Sequence, residues 1–590
     1  MQQEWALNTR SAARLLVCAV IAAGVFLVSR AHGATAGASS AQPELGPNVL
    51  VFDPSMPPAA MQAKIDKIYQ AEQHSEFGAE RYALLFLPGK YQVDIPIGFY
   101  TEVAGLGASP DAVEIDGNVH SDASLPRDNA TCTFWRALEG LSVIPAGGTM
   151  QWAVSQAAPF RRMHVRGDLI LNQKHGWASG GWIADSLIDG KVNSGTQQQW
   201  ISRNSEWGSW TGSNWNMVFV GVKNLPAGDW PDPPYTKVER TPVAKEKPFL
   251  MVDAQGRWFV RVPALVKDSE GITWHSGETP GRSIPLSRFY IAHAGADTAA
   301  SINAAVGAGK DVLLTPGIYE LNEPIRITRP GTILMGLGFA TLKPVSGQAA
   351  IETADVDGID IAGLLMDAGP VESPVLVKIG PDKSKRRHEE NPICLHDVFF
   401  RVGGAGLGKA QVNLLINSSD TIIDHTWIWR ADHGSGVGWQ SNTSANGLVV
   451  NGDHVTAYGL FVEHHQQFQV LWNGEDGRTY FYQSEIPYDP PNQSSYTGAK
   501  GVNGWASYKV SDNVKRHEAW GLGIYSVFLK PDVVLSRAIE VPQTRDVRFH
   551  HMITVALGNL GEISNVIDDA GGPTRIRPRV TPKVAEFPSN

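Results

Sequence analysis

Short apolar strands recur along the chain at intervals of 20 to 35 residues, separated by Gly, Asn and Asp. Examples are MHVRGDLIL, MVFVGVKN, IDIAGLLMDAG and CLHDVFFRVGG. No long helical pattern lies between consecutive strands, which argues against a barrel or sheet built from strand–helix–strand units. The spacing is typical of a parallel β-helix, in which short strands stack coil upon coil. We therefore predict an all-β fold.

The pattern occurs twice. Residues 84–97 read LLFLPGKYQVDIPI, and residues 312–325 read VLLTPGIYELNEPI. A segment with apolar residues at helical spacing precedes each copy, and Asp297 or Thr298 is a natural N-cap for the second segment. Such helices cover the open end of a β-helix, where unpaired strand edges invite aggregation.

The repeat predicts two tandem right-handed parallel β-helices, which lie side by side with a cleft at their junction. We assign residues 45–223 to the first β-helix and residues 291–575 to the second. The Pro-rich segment 224–290 interrupts the strand pattern and is interpreted as a connector.

Residues 1–36 have the pattern of a secretory signal. Arg10 and Arg14 precede an apolar run of 14 residues, and small residues suited to cleavage follow. The run is short for a membrane span, although an uncleaved anchor is the alternative interpretation. We expect a secreted, extracellular protein without membrane association once the signal is removed.

Charge and cysteine content narrow the classes of partner and cofactor that the protein could bind. The formal net charge is −9, and no Lys/Arg run indicates a nucleic-acid partner. Cys132 and Cys394 remain after signal removal, and either a disulfide or two buried free thiols fits the sequence. The paired histidines at 464–465 and 550–551 lack metal-ligand spacing. We expect a monomer without metal or cofactor.

Glu463 and Glu485 lie 22 residues apart, each at the end of an aromatic-rich strand. That spacing is about one coil of a β-helix, and stacked coils lie about 4.8 Å apart. Like charges at such a distance raise one pKa, and a carboxylic acid that is protonated near neutral pH is what a glycosidase requires. The pair is the strongest catalytic candidate.

Charged residues at the ends of successive strands in the second half of the chain align into a proposed column. Their order is acid, base, base, acid and acid. A slip of one residue in this alignment would turn a side chain to the other face of the sheet, and a purely structural ladder is the alternative. The members of the column are Asp367, Arg401, Arg430, Glu463 and Glu485.

Several longer strings resemble glycoside hydrolase family 55, the exo-acting β-1,3-glucanases. They are GRTYFYQSEIPYDPP, NGLVVNGDHVTAYGLFVEH, WRADHGSGVGW and VNSGTQQQWISRNSEWGSW. The resemblance covers nearly the whole chain after the signal. It implies two tandem β-helices with the active site between them, and glucose released from the non-reducing end of β-1,3-glucan with inversion.

The resemblance also implies residue roles. Glu485, in YFYQSEIPYD, matches the general acid, and Glu463 matches a second functional glutamate one coil earlier. Polar side chains of the first module are expected to hold the attacking water. Which of them face the cleft stays open, because alternate strand residues point to opposite sides. The matching cluster consists of Gln173, Ser194, Gln197, Gln198 and Gln199.

Other candidates carry weaker signals. Asp432 and His433 are a candidate polar pair at the cleft, with a structural turn as the alternative. Arg430 is a candidate substrate ligand. Most Trp residues are core residues, but an exposed one suits stacking against a sugar ring. The candidates for such a platform are Trp427, Trp429, Trp439 and Trp472.

The stereochemical expectation rests on the resemblance alone. Residues on adjacent coils approach the roughly 5–5.5 Å separation of a retaining pair, whereas inverting pairs lie roughly 6.5–9.5 Å apart. Coil neighbours share one surface, however, whereas an acid and a nucleophile must flank opposite sides of the bond. The coil spacing alone leans towards retention, whereas the resemblance implies inversion. We follow the resemblance and expect inversion, with Glu463 raising the pKa of Glu485 and binding substrate hydroxyls.

Two alternatives remain open at this level. A polysaccharide lyase on the same scaffold needs a basic groove, for which the column offers only Arg401 and Arg430. A non-catalytic glycan-binding solenoid needs no paired carboxyl groups. The function favoured is a secreted hydrolase of β-1,3-glucan.

Overall fold

Parallel strands form two successive stacks of coils in the computed structural model, which describes residues 42–498 and 501–588. Each stack has two main sheets whose neighbouring strands are H-bonded in parallel. The all-β, tandem β-helix fold is confirmed. The predicted signal, residues 1–36, lies outside the described residues.

The first β-helix buries its apolar side chains between two sheets, and a short parallel pair, Asp94–Pro96 with Asn118–His120, extends it. One sheet contains Val49–Phe52, Tyr82–Phe86, Thr101–Gly105, Arg136–Glu139, Pro159–Arg161, Trp182–Ala184, Gln199–Arg203, Asn216–Val220 and Tyr235–Val238. The other contains Gly89–Tyr91, Val113–Asp116, Ser142–Ile144, Thr149–Gln151, His164–Val165, Asp168–Ile170, Leu187–Asn193 and Glu206–Thr211.

The second β-helix repeats this plan with longer strands. Its first sheet contains Phe289–Ala292, Asp311–Leu314, Ile318–Leu321, Ile333–Pro344, Asp360–Asp367, Cys394–Val402, Ile422–Arg430, Thr456–Glu463, Gly477–Glu485, Arg516–Ser526, Asp546–Ala556 and the antiparallel Lys583–Phe587. Its second sheet contains Ile325–Ile327, Ile351–Thr353, Ser373–Ile379, Ala410–Ile416, Ser444–Val450, Val470–Trp472, Tyr508–Val510 and Ile539–Glu540. Small pairs near its end are Val534–Leu535 with Glu562–Ile563 and Arg575–Ile576 with Arg579–Val580.

The two predicted helices are Pro58–Glu72 and Ala299–Gly307. Thr298 rather than Asp297 is the N-cap of the second helix, because its hydroxyl accepts a hydrogen bond from the Ser301 backbone N–H. Neither helix is long and apolar enough to cross a membrane, and no other helix among the described residues is. Short 3₁₀ turns lie at Pro110–Ala112, Ala146–Gly148, Leu286–Arg288 and Gln493–Tyr496.

The connector is shorter than the sequence indicated. Strand Tyr235–Val238 pairs with Asn216–Val220 and belongs to the first β-helix, although it falls within the predicted segment 224–290. Pro226, Pro231, Pro233 and Pro234 lie in the loop before this strand and so do not interrupt its hydrogen bonds. The antiparallel strands that follow are Thr241–Lys245, Phe249–Val252, Trp258–Pro263, Leu265–Ser269 and Gly281–Pro285.

A buried ionic network joins the two β-helices. Arg161 of the first β-helix donates to both carboxylate oxygens of Asp397, at 2.8 and 2.9 Å. It also donates to Asp424 of the second β-helix at 2.8 Å. Arg203 donates to Asp424 at 3.0 Å and to Glu246 of the connector at 2.6 and 2.9 Å. All five side chains are buried. We call these five residues the ionic seam.

Because the ionic seam is buried, removal of one partner leaves an uncompensated charge in a medium of low polarity. We predict that Arg161→Ala lowers the free energy of unfolding by about 3–5 kcal/mol, measured by chemical denaturation. Arg326→Ala, which breaks an exposed pair with Glu323, serves as the control and should change it by less than about 1 kcal/mol. Equal effects of the two substitutions would contradict the role of the seam.

Candidate active site

Glu463 and Glu485 end neighbouring strands of the second β-helix, Thr456–Glu463 and Gly477–Glu485. These strands pair in parallel with Phe461 opposite Gln483, so the register brings the two glutamates to corresponding positions on adjacent coils. His464 follows with a left-handed backbone, φ +68°, which ends the first of the two strands. Both carboxyl groups line the same cavity.

The cavity has a volume of about 260 Å³ and is lined by both β-helices. Residues of the first helix that line it are Thr131, Cys132, Phe134, Gln156, Ser179 and Gln198. Residues of the second helix that line it are Trp427, Trp429, Asp432, His433, Glu463, His464, Glu485, Tyr488 and Leu557.

Glu485 is the more accessible member of the pair. Its side chain is half-buried, and the Tyr488 hydroxyl donates a hydrogen bond to Oε2. Desolvation raises the pKa of Glu485 well above its ordinary value, and the negative charges of Glu463 and Asp432 raise it further. A partly accessible carboxyl group that holds its proton has the properties of a general acid.

Glu463 is buried and held at both oxygens. Gln156 Nε2 of the first helix donates to Oε1 at 2.8 Å, and Trp427 Nε1 donates to Oε2 at 2.8 Å. Burial raises the pKa of Glu463 to about 7, although these hydrogen bonds favour the charged form. The carboxyl group therefore has a fixed orientation beside Glu485.

A polar chain crosses the junction of the two helices. The Ser179 hydroxyl donates to Gln156 Oε1 at 3.1 Å, and Gln156 Nε2 donates to Glu463. Gly180 next to Ser179 has φ +125°, a conformation open mainly to glycine, and so fixes the turn that presents the hydroxyl. Gln156 and Ser179 are not among the site residues predicted from the sequence. The Gly-Gly pair after Ser179 is the signal that marks this turn.

Most residues of the predicted water-binding cluster make structural contacts and do not line the cavity. Of its members only Gln198 lines the cavity. Gln173 donates to Asp128 and so fixes a loop, and Ser194 is buried. Gln197 donates to the carbonyls of Val154 and Leu171 and accepts from the Gly180 N–H, so it braces the segments that carry Gln156 and Ser179. Gln199 is likewise buried and donates to the Ser179 carbonyl.

The charged column breaks at Arg430. Asp367 pairs with Arg401 in register, but Arg401 lies opposite Trp429, and Trp429 lies opposite Glu463. Arg430 is therefore one position out of the column and does not line the cavity. It forms a bidentate pair with Asp489 at 2.9 Å, four residues after Glu485.

The predicted sugar platform is also corrected. Trp472 is buried in the core of the second helix and stacks on Tyr508. Trp439 lies over the Arg430 guanidinium and packs against the same core, outside the cavity. Trp427 and Trp429 do line the cavity, where they stack on each other at 4.8 Å. Both are nearly fully buried, so they form its wall.

Asp432 and His433 line the cavity together. His433 Nδ1 lies 2.9 Å from Asp432, and Nε2 lies 2.6 Å from Glu76 of the first β-helix. Burial opposes the imidazolium charge, but hydrogen bonds to Asp432, Cys132 and Glu76 outweigh it and raise the pKa of His433 to about 12. Cys132 and Cys394 are free thiols, so the disulfide alternative is excluded.

Parallel β-helices with two carboxyl groups of raised pKa in the cavity at their junction indicate a carbohydrate-active hydrolase of the solenoid class. Residues 289–485 match the family model of the LAM55 pectate lyase-like domain. An exo-beta-1,3-glucanase of Streptomyces sp. (strain SirexAA-E / ActE) is 49% identical over 548 residues, which is 92% of this chain and 90% of that enzyme.

Solved structures agree with this match. The structure of sacteLam55A from Streptomyces sp. SirexAA-E aligns with a TM-score of 0.90 and 48% identity, covering 92% of this chain and 99% of that chain. A variant of the same protein in complex with glucose aligns with a TM-score of 0.91 and 48% identity, over 93% and 99% of the two chains. The protein belongs to glycoside hydrolase family 55, the exo-β-1,3-glucanases.

The like-charged pair predicts a pH effect. Glu463→Gln removes a negative charge that raises the pKa of Glu485, so Glu485 should lose its proton at lower pH. We predict that the alkaline limb of the activity–pH profile shifts to lower pH in this variant. Glu320→Gln, an exposed glutamate of the same helix, should leave the limb in place. An unchanged limb in Glu463→Gln would show that the two carboxyl groups are not coupled.

Proposed function

We propose that this glycoside hydrolase cleaves β-1,3-glucan from the non-reducing end and releases glucose with inversion. The observation that carries the proposal is the division of the cavity wall: the half-buried Glu485 comes from one β-helix, and Ser179, Gln156 and Gln198 come from the other. The cavity thus separates a proton donor from a group of water-binding side chains. The name of the Streptomyces relative and the glucose complex of its variant support the substrate class.

The size of the cavity supports the exo mode. Its volume of about 260 Å³ lies below the roughly 300–1,000 Å³ of sites for drug-sized ligands. Such a cavity fits one terminal sugar unit better than an internal segment of a polysaccharide.

Glu485 is proposed as the general acid. Protonation of the glycosidic oxygen lets its bond to the anomeric carbon break without expulsion of an alkoxide. Tyr488 orients the carboxyl group through its hydrogen bond to Oε2. Glu463 is not assigned as the attacking nucleophile, because it lies beside Glu485 on the same surface, whereas a nucleophile must approach from the side opposite the acid. Glu463 maintains the raised pKa of Glu485.

The attacking water is proposed to bind at Ser179 and Gln198, on the wall formed by the first helix. Its oxygen bonds to the anomeric carbon from the face opposite the leaving oxygen, which inverts the configuration. One proton of the water passes to solvent, and Glu485 is reprotonated from solvent before the next turnover. Gln156 accepts a hydrogen bond from the Ser179 hydroxyl and donates one to Glu463, so it holds Ser179 in place.

A lyase is less compatible with the charges. Arg401 is bound bidentately to Asp367 at 3.0 Å, and Arg430 is bound bidentately to Asp489. Neither guanidinium is therefore available to neutralise a uronate. We further propose that the enzyme acts outside the cell as a monomer, after loss of residues 1–36.

Substitution of the acid tests the assignment. We predict that Glu485→Gln keeps the fold and loses about 10²–10⁴-fold in kcat on laminarin, the usual contribution of general acid–base catalysis. An activated aryl β-glucoside needs little protonation of its leaving group, so this variant should recover much of the loss on that substrate. Kinetics on both substrates provide the measurement.

The matched control is Glu320→Gln, which should retain full activity on both substrates. Near-normal laminarin hydrolysis by a folded Glu485→Gln protein would refute the assignment of Glu485 as the acid.

A further inference from the structure

Three potential metal ligands from distant parts of the chain converge beside the cavity, which two of them, Cys132 and His433, line. Glu76 follows the helix Pro58–Glu72, Cys132 precedes strand Arg136–Glu139, and His433 follows strand Ile422–Arg430. One carboxylate oxygen, the thiol sulfur and one imidazole nitrogen lie within 4.8 Å of one another. All three residues are partly exposed, so an ion has access to them.

The imidazole is oriented by a carboxylate outside the cluster. His433 Nδ1 lies 2.9 Å from Asp432 Oδ1, which directs Nε2 towards Glu76 at 2.6 Å. Metal-bound histidines almost always bond through their other ring nitrogen to a carboxylate or carbonyl in this way. This observation is independent of the convergence of the three ligands.

We propose that Glu76, Cys132 and His433 form a binding site for a borderline-soft divalent cation of the Zn²⁺ type. A thiolate, an imidazole and a carboxylate are all zinc ligands, and three protein ligands leave a fourth tetrahedral position open towards the cavity. Zinc–ligand bonds of 2.0–2.3 Å place ligand atoms about 3.3–3.8 Å apart in a tetrahedron. In the observed cluster the ligand atoms lie within 4.8 Å of one another, so side-chain movement must adjust their spacing when the ion binds.

Binding is expected to release protons. A metal requires a thiolate and a neutral imidazole, so its affinity should rise with pH. The hydrogen bond between His433 Nδ1 and Asp432 is compatible with a metal at Nε2.

A second Cys–His–Asp cluster shows why this site is the better candidate. Asp360, Cys394 and His396 also bring their ligand atoms together, but all three are fully buried. The Lys245 ammonium bonds both oxygens of Asp360 at 2.7 and 2.8 Å. That positive charge occupies the carboxylate that a metal would need.

A bound cation would lie in the cavity that also contains Glu463 and Glu485. It would occupy space needed by the sugar, so binding should inhibit glucan hydrolysis reversibly. The binding itself stands without the proposed function, whereas the inhibition rests on it.

The test uses the chain without residues 1–36, stripped of metals by a chelator, and a titration with Zn²⁺ against a fluorescent zinc indicator. We expect one Zn²⁺ per chain, no comparable binding of the oxygen-preferring Mg²⁺, and affinity about tenfold or more lower in Cys132→Ser. His120→Gln is the matched control, because His120 also lies between two carboxylates, Asp94 and Asp122, but without a thiol. It should bind Zn²⁺ like the unaltered chain.

Co²⁺ gives a second readout on the unaltered chain, in case Cys132→Ser does not fold. A thiolate-to-cobalt charge-transfer band and a tetrahedral visible spectrum support the site. Absence of stoichiometric Zn²⁺ binding, equal affinity in a folded Cys132→Ser protein, or absence of the charge-transfer band would overturn it. Binding that leaves laminarin hydrolysis unchanged upholds the site and overturns its inhibitory effect.

Discussion

The active site depends on the ionic seam between the two β-helices. Arg161 and Arg203 extend from the first helix into the second, where Asp397 and Asp424 accept their hydrogen bonds in a fully buried environment. A buried guanidinium tolerates few alternative arrangements, because any displacement leaves a charge without its partner. The seam acts together with the apolar side chains packed between the two β-helices, and these contacts hold the two walls of the cavity against each other.

Burial has opposite consequences at the seam and in the cavity. Asp397 and Asp424 are desolvated, but adjacent arginines hold their pKa values far below the ordinary range. Glu463 and Glu485 are also desolvated, but their charged neighbours are carboxylates, so their pKa values rise. The same low polarity thus supports permanent ion pairs at one place and a protonated acid at another. The difference lies in the sign of the nearest charge.

The sequence predicts the structural features that repeat from coil to coil along one β-helix. The strand spacing, the covering helices and the alignment of Glu463 with Glu485 all follow from local periodicity. Contacts between the helices have no such signal: Gln156 and Glu463 are 307 residues apart. The one-residue slip at Arg430 and the burial of Trp472 show a second limit, because the direction of a side chain depends on register and not on residue type.

The central claim is that an acid on one helix and a water held by the other act from opposite sides of the sugar. NMR of the earliest product released from laminarin tests this claim most directly. Direct attack by that water predicts glucose as the main product, first seen as the α-anomer and then equilibrating with the β-anomer. Initial formation of the β-anomer, or of a ladder of large internal fragments, would contradict the account.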